Sequence, residues 1–352
     1  MALQASLNYL RPGGDASIVL TPTPGDESPL VPVRCRVSDA RARARPLQLK
    51  GDGVELVRTP RGLDVAAFAD VPLQDAQEAV RPFFEKLACE LTGALPGQTF
   101  CLIPLYRSDD PTVVEKSGVR NTTRHSSGAR PHDFVHSDYH DGFLPFVRGL
   151  KPHVQRRVLL GRRGGRGGAL GHVDVAADVL RTKRLIVLQF WGSAQPRDTV
   201  IEQHSLTVCV PGSVCAEDLV PSALGNYAGR FIGPGYNICV PRVEAAPHHD
   251  WVYWPRLTRD ETLVWVGYDS AAPRAVALHT AFWDESAPAT ARPRESFEVR
   301  VVCLLDDVRT VFLPKSKLSR ELGSGGAHGQ EQGQEPEQET LLQKQREGAA
   351  RL

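Results

Sequence analysis

Leu185-Ile-Val-Leu-Gln-Phe-Trp191 is a short apolar run, rich in β-branched and aromatic residues and of strand length. Comparable runs follow at Ser205-Leu-Thr-Val-Cys-Val210, Thr262-Leu-Val-Trp-Val-Gly-Tyr268 and Phe297-Glu-Val-Arg-Val-Val-Cys-Leu-Leu305, with a further one from Val276 to Phe282. Turn signals, not helical patterns, separate them. That favours a sandwich or barrel over alternating βαβ units. With the strands in two facing sheets, the expected fold is mainly β: a double-stranded β-helix (jelly roll) core with flanking helices. Neither a glycine-rich dinucleotide loop nor a Walker sequence occurs.

Upstream, short apolar runs at Ser17-Ile-Val-Leu-Thr21, Val31-Pro-Val33 and Val54-Glu-Leu-Val57 read as small strands or an extended arm over the core. Residues 72–93 are expected to be helical, because Val80, Phe83, Phe84, Leu87 and Leu91 recur at helical spacing before Gly93. Cys101-Leu-Ile-Pro-Leu-Tyr106 reads as one short strand. Arg148, Lys151, Arg156, Arg157, Arg162, Arg163 and Arg166 fall in a Gly-rich stretch without acids, expected as a solvated loop over 148–170. One domain over 1–315 with an N-terminal extension is expected, then a disordered polar tail over 316–352, where apolar content nearly vanishes.

The 352 residues carry 42 basic and 41 acidic side chains. That balance predicts neither nucleic acid nor an anionic membrane as partner. No signal-like or membrane-spanning apolar stretch is present. Seven cysteines, without a CxxC pair, fit free thiols in a reducing cytoplasmic setting. Oligomeric state is not legible.

The chemistry concentrates in Pro131-His132-Asp133-Phe-Val-His136-Ser-Asp138-Tyr-His140-Asp141. In an extended backbone, period two turns His132, Phe134, His136, Asp138 and His140 to one side. Two imidazoles and a carboxylate can occupy one face of a divalent iron and leave the other open. His279, in an apolar run, is a candidate third ligand, although a lone histidine there is more often a core residue. His172-Val-Asp174 offers the same spacing as His136-Ser-Asp138. The first is favoured by Phe134, Tyr139 and Phe143, which can wall a pocket. Zinc suits the same ligands. His248-His249 precedes Asp250-Trp251 and reads as an aromatic structural corner, since adjacent histidines diverge in a strand. Asp269-Ser270 reads as a turn.

Arg294 and Ser296 share a strand face just beyond His279, and a guanidinium beside a hydroxyl can anchor a dicarboxylate co-substrate. Arg300 lies on the same face as a substitute, with Arg292 a weaker one. The co-substrate 2-oxoglutarate would then bind iron through its 2-oxo acid end, with O2 beside it. Gln189 and Trp191 can line a pocket, and Arg120, Asn121 and Arg124 can take a polar substrate group. No serine nucleophile elbow and no local Cys/His signature is present.

Four blocks resemble the AsaB-like hydroxylase/desaturase family, which includes a fungal gibberellin desaturase and a small component of cephamycin 7-alpha-methoxylation. They are Val135-His-Ser-Asp-Tyr139, Arg184 through Trp191, Trp251 through Arg256 with Asp260-Glu261 and Tyr268-Asp-Ser270, and His279-Thr-Ala-Phe282 with Pro293-Arg-Glu-Ser-Phe-Glu-Val-Arg300. A weaker echo lies at Leu7-Asn-Tyr9. The resemblance implies a jelly-roll oxygenase of small-molecule metabolism, and it selects His136, Asp138 and His279 as the iron ligands. The family's Asn-x-Trp-Arg is Gln189-Phe-Trp191-Gly192 here. The expected activity is therefore Fe(II)/2-oxoglutarate-dependent hydroxylation, desaturation or oxidative cyclisation of a small natural-product-like substrate. Two alternatives are an iron oxygenase that uses no 2-oxoglutarate, and a non-catalytic β-sandwich accessory or binding protein.

Overall fold

The computed structural model describes residues 2–14, 17–19, 28–64, 73–102, 104–110, 131–150, 183–225, 238–306 and 309–313. Its strands are β1 (Ala2–Leu10), β2 (Ser17–Val19), β3 (Leu30–Asp39), β4 (Val54–Arg58), β5 (Thr99–Cys101), β6 (Leu105–Ser108), β7 (Arg184–Ser193), β8 (Leu206–Cys209), β9 (Leu219–Gly225), β10 (Ile238–Pro241), β11 (Trp251–Tyr253), β12 (Glu261–Asp269), β13 (His279–Ala281) and β14 (Glu295–Leu305). The longer helices are α1 (Leu73–Thr92) and α2 (Phe143–Gly149).

The central strand is β7. It lies between β12 and β14 in an antiparallel sheet ordered β4-β12-β7-β14-β5, with β6 pairing the first residues of β14. Every residue of β7 is buried, because both faces of the sheet are covered. Strand alternation sorts them. Ile186, Leu188 and Phe190 meet Val80, Phe84 and Ala88 of α1, where the Phe84 ring centroid lies 5.1 Å from that of Phe190 and 5.9 Å from that of Phe297. The helix forms where its apolar stripe was read, and it ends at Gly93, whose φ of 81° suits a glycine and whose N–H bonds the Cys89 carbonyl at 2.8 Å.

The other face of β7 looks inward to a second sheet, β1-β3-β11-β8-β13. Trp191, Leu263 and Trp265 of the first sheet share a core with Val208 and Val252 of the second. Each fully buried aliphatic side chain in such a core contributes about 1.5–3 kcal/mol. Two facing layers, antiparallel except for the parallel β3–β11 pair, with α1 outside are the jelly roll with flanking helices. A smaller sheet, β10-β9-β2, completes the fold.

The beginning of the chain is more than an arm over the core. Residues β1 and β3 pair along their whole length, β3 joins β11, and Ala5, Leu7 and Tyr9 are completely buried. The run from Cys101 to Tyr106 forms two strands, β5 and β6, since Pro104 has no N–H for the ladder. Most of the basic Gly-rich loop, His172 and Asp174, and the tail lie outside the described residues.

Asp269 does more than begin a turn. Both oxygens of its fully buried carboxylate accept from Arg184, with Nε–Oδ1 at 2.7 Å and Nη2 on Oδ2. Arg184 Nη1 also donates to the Thr310 carbonyl (2.7 Å), over the Phe312 ring. The fork ties the start of β7 to the end of β12. Asp269→Ala leaves the guanidinium buried without its counter-charge and is expected to cost about 3–5 kcal/mol. Urea unfolding checks this; parental stability would show that the pair contributes nothing.

Candidate metal centre

His136, Asp138 and His279 converge between the two sheets. One possible ligand atom from each lies within 4.8 Å of the others, and all three residues are buried. They come from separate pieces of chain. His279 opens β13. His136 and Asp138 lie in a segment that is not a regular strand and is held by single bridges: Phe134 to Asn8, His136 to His279 and Ser137 to Cys239. His136 N donates to the His279 carbonyl at 3.1 Å and His279 N to the His136 carbonyl at 2.8 Å. The two imidazole centroids are thereby 4.4 Å apart. Asn8 of β1 adds support, since its side-chain amide donates to the Asp133 carbonyl at 2.7 Å. Beyond Asp138 the chain turns into α2, and His140 there accepts from the Gly142 N–H at 3.0 Å, away from the cluster.

The protonation states suit a cation. His136 Nδ1 lies 2.8 Å from the Phe134 carbonyl. A carbonyl only accepts, so Nδ1 carries the hydrogen and Nε2 keeps its lone pair. Burial pushes the His136 imidazole down, and burial together with His136 pushes His279 down to about 3. Both rings are neutral donors at neutral pH. Burial acts to raise the Asp138 carboxyl, but Arg300 and the two histidines outweigh it and hold it well below the usual carboxylate range. Two neutral imidazoles and one carboxylate are the protein half of a facial triad.

The other residues singled out by sequence fall in three groups. Ser296 of β14 and Arg294, just before that strand, are buried; Arg294 Nη1 donates to the His204 carbonyl (2.6 Å), and its guanidinium lies 5.5 Å from the Trp191 ring centroid. Arg294 Nε and Ser296 Oγ have no hydrogen-bond partner among the described residues. Two orphaned buried donors on one face fit an absent carboxylate. Burial lowers the Arg294 guanidinium to about 10, which leaves it charged at neutral pH. Gln189 and Arg300 both bond Asp138: Gln189 Nε2 and Arg300 Nη2 each lie 2.6 Å from Oδ2. Tyr139 packs with Phe143 and Tyr268 in an apolar cluster at one end of the inward face. Arg292 is exposed, and Arg120, Asn121 and Arg124 lie outside the described residues.

His249 is the corner that was expected. Its Nδ1 lies 2.8 Å from the Tyr9 hydroxyl, which accepts from Trp251 Nε1 at 2.9 Å. Gly192, where the resembling family has arginine, faces α1, not the cluster: a Cβ there would sit 2.5 Å from Cζ of Phe297.

Three polar side chains were missed. Glu298 pairs with Arg300 (Nη2–Oε1 2.5 Å) and lies 3.7 Å from Arg107. Its place in Arg294-x-Ser296-x-Glu298-x-Arg300 put it on the inward face, so the signal was there. Asp109 and His204 (Nδ1–Oδ2 2.9 Å) border a cavity of about 520 Å3 with His132, Phe134, Trp283 and Pro293. No local motif marks them. His132 in the cavity wall has its ring centroid 5.7 Å from that of His136.

A family described as an oxidoreductase/YMDC permease-like domain matches residues 168–304, less than half of the chain. No curated protein matches the sequence. Among solved structures, the chain is similar to the iron and alpha-ketoglutarate-dependent endoperoxidase NvfI. One conformation of that enzyme gives a TM-score of 0.63 at 19% identity, covering 86% of this chain and 98% of that one. Another structure of it gives 0.62 at 18% identity, over 86% and 98%. At such identity the likeness is one of fold. What the chain shares with them is the jelly-roll fold, and in this chain three possible metal donors converge inside it.

Proposed function

We propose that this protein is an Fe(II)/2-oxoglutarate-dependent oxygenase of the AsaB-like type, which hydroxylates, desaturates or oxidatively cyclises a small natural-product-like molecule. The convergence of His136, Asp138 and His279 inside a jelly roll carries the reading. These three side chains hold Fe(II) on one face. Arg294 and Ser296 take the far carboxylate of 2-oxoglutarate, which is supported by their unpartnered buried donors. Iron, 2-oxoglutarate and O2 together supply an oxidant able to remove hydrogen from carbon.

The chain's own task is placement and exclusion of water. The Tyr139, Phe143 and Tyr268 cluster closes one end of the interior. Substrate enters by the cavity on the His132 side, where Trp283 and Phe134 offer flat apolar surfaces and Asp109 and His204 offer polar ones. Trp191 lies under the Arg294 guanidinium and shapes the floor beside the co-substrate. Arg120, Asn121 and Arg124, in the segment leading to Pro131 at the cavity wall, take a polar group of the substrate. The seven free thiols support a reducing, cytoplasmic setting. No helix among the described residues is long and apolar enough to cross a membrane.

Calorimetric titration with Fe(II) without oxygen is expected to show stoichiometric binding that His136→Ala or His279→Ala abolishes while the fold, read by circular dichroism, persists. Full metal binding in either variant would reject the ligand set. With iron bound, 2-oxoglutarate should bind and yield succinate on admission of O2, slowly alone and faster with the right substrate. Product formation without succinate would instead favour an oxygenase independent of 2-oxoglutarate. Arg294→Ala is expected to weaken 2-oxoglutarate binding by roughly 10- to 100-fold, the loss of a hydrogen bond to a charged group, with Fe(II) binding retained. If Arg300→Ala produces that pattern instead, the anchor is misassigned.

A further inference from the structure

Asp138 is gripped by one oxygen only. Its Oδ2 accepts from Gln189 Nε2 at 2.6 Å and from Arg300 Nη2 at 2.6 Å and Nε at 3.1 Å. Three donors on one carboxylate oxygen use up its lone pairs. Its Oδ1 lies on the imidazole side, 3.7 Å from His136 Nε2. A carboxylate held in this way offers a cation one oxygen and cannot turn to chelate with both.

The grip has its own support. Arg300 is a positive charge next to a cation site and by itself would oppose metal binding. Glu298 pairs with it at 2.5 Å, and Arg107 lies 3.7 Å beyond Glu298. The four side chains Asp138, Arg300, Glu298 and Arg107 thus alternate in sign and sum to zero. Gln189 is neutral and is seated by shape. It projects over Gly267, at the irregularity where β12 shifts register against β7 between Val266 and Tyr268. A Cβ on Gly267 would lie 2.2 Å from Gln189 Oε1 and 2.9 Å from its Cδ. Gln189 is completely buried, and its Oε1 has no hydrogen-bond partner among the described residues. The amide leaves its carbonyl unpaired while its N–H meets Asp138. Stability alone does not favour that choice, because an unpaired buried acceptor is destabilising.

We propose that Gln189, seated against Gly267, is a positioning residue that with Arg300 locks Oδ2 of Asp138, so that only Oδ1 is presented to the metal. This rests on the reading of His136, Asp138 and His279 as the ligands. It assigns Gln189 to the metal's carboxylate instead of to the substrate. The irregularity at Gly267 is then part of the centre through Gln189.

The test uses the full-length protein titrated with Co(II), followed by calorimetry and by the visible ligand-field bands, which report coordination rather than stability. Gln189→Ala and Gly267→Ala are each expected to weaken Co(II) binding by roughly 10- to 100-fold, as loss of an outer hydrogen bond to a ligand does, and to shift the bands in the same direction. The double variant should bind no worse than either single one, since with alanine at 189 the new methyl has no amide to displace. Gln189→Met keeps the bulk and removes the donor, and it serves if either alanine variant does not fold. A folded Gln189→Met protein with parental Co(II) affinity and parental bands overturns the proposal. Loss of additivity's exception, with the double variant weaker by the product of the two effects, overturns the role of Gly267. Undiminished Co(II) binding by His279→Ala would reject the ligand set itself, which separates that failure from failure of the positioning role.

Discussion

The paired backbone hydrogen bonds between His136 and His279 are the constraint on which the site depends. They join a segment with almost no ladder of its own to β13, itself an edge strand beside β8. Because closing a loop costs only slowly more as it lengthens, the sequence distance between the two histidines is no obstacle. What matters is that both ends are fixed. β13 is fixed by β8, and the His136 segment by Asn8 of β1 and by Cys239 of β10. The first strand of the chain therefore belongs to the scaffold of the centre.

Charge inside the jelly roll is the second constraint. Burying an ion is costly unless it is paired and hydrogen-bonded. Arg294, Glu298 and Asp138 are all buried, between the apolar cluster around Tyr139 and Tyr268 and the one around Trp191 and Trp265. Asp138 and Glu298 each meet Arg300, and Arg107 lies beyond Glu298, so carboxylates and guanidiniums alternate. Arg294 Nε and Ser296 Oγ are among the buried polar atoms without a hydrogen-bond partner in the described residues, together with Trp265 Nε1 and Gln189 Oε1.

Much of this was legible beforehand for a simple reason: it is periodic. Val80, Phe84 and Leu87 announce α1 by their spacing, and the strands β7, β12 and β14 announce themselves by apolar runs bounded by turns. Period two also placed Arg294, Ser296 and Arg300 on one face. Glu298 has the same parity, and its pairing with Arg300 and proximity to Arg107 follow from the fold. Gln189 was recognised as facing a pocket, but its partner was not, since nothing local ties it to Asp138. Asp269 looked like a turn residue and is one; its buried fork with Arg184 depends on a strand pairing that no neighbour in sequence reveals.

Residue order and type are enough to say which segments extend, which one coils, which way strand residues face and which side chains can ligate a metal. These follow from backbone geometry and from side-chain chemistry within a few residues. That His279 meets His136, that Arg300 grips Asp138 while Arg294 does not, and that Gly267 makes room for Gln189 emerge only on folding. Those outcomes depend on sheet order and register, and register is settled by the packing of two faces at once, a property of the assembled layers that no single strand contains.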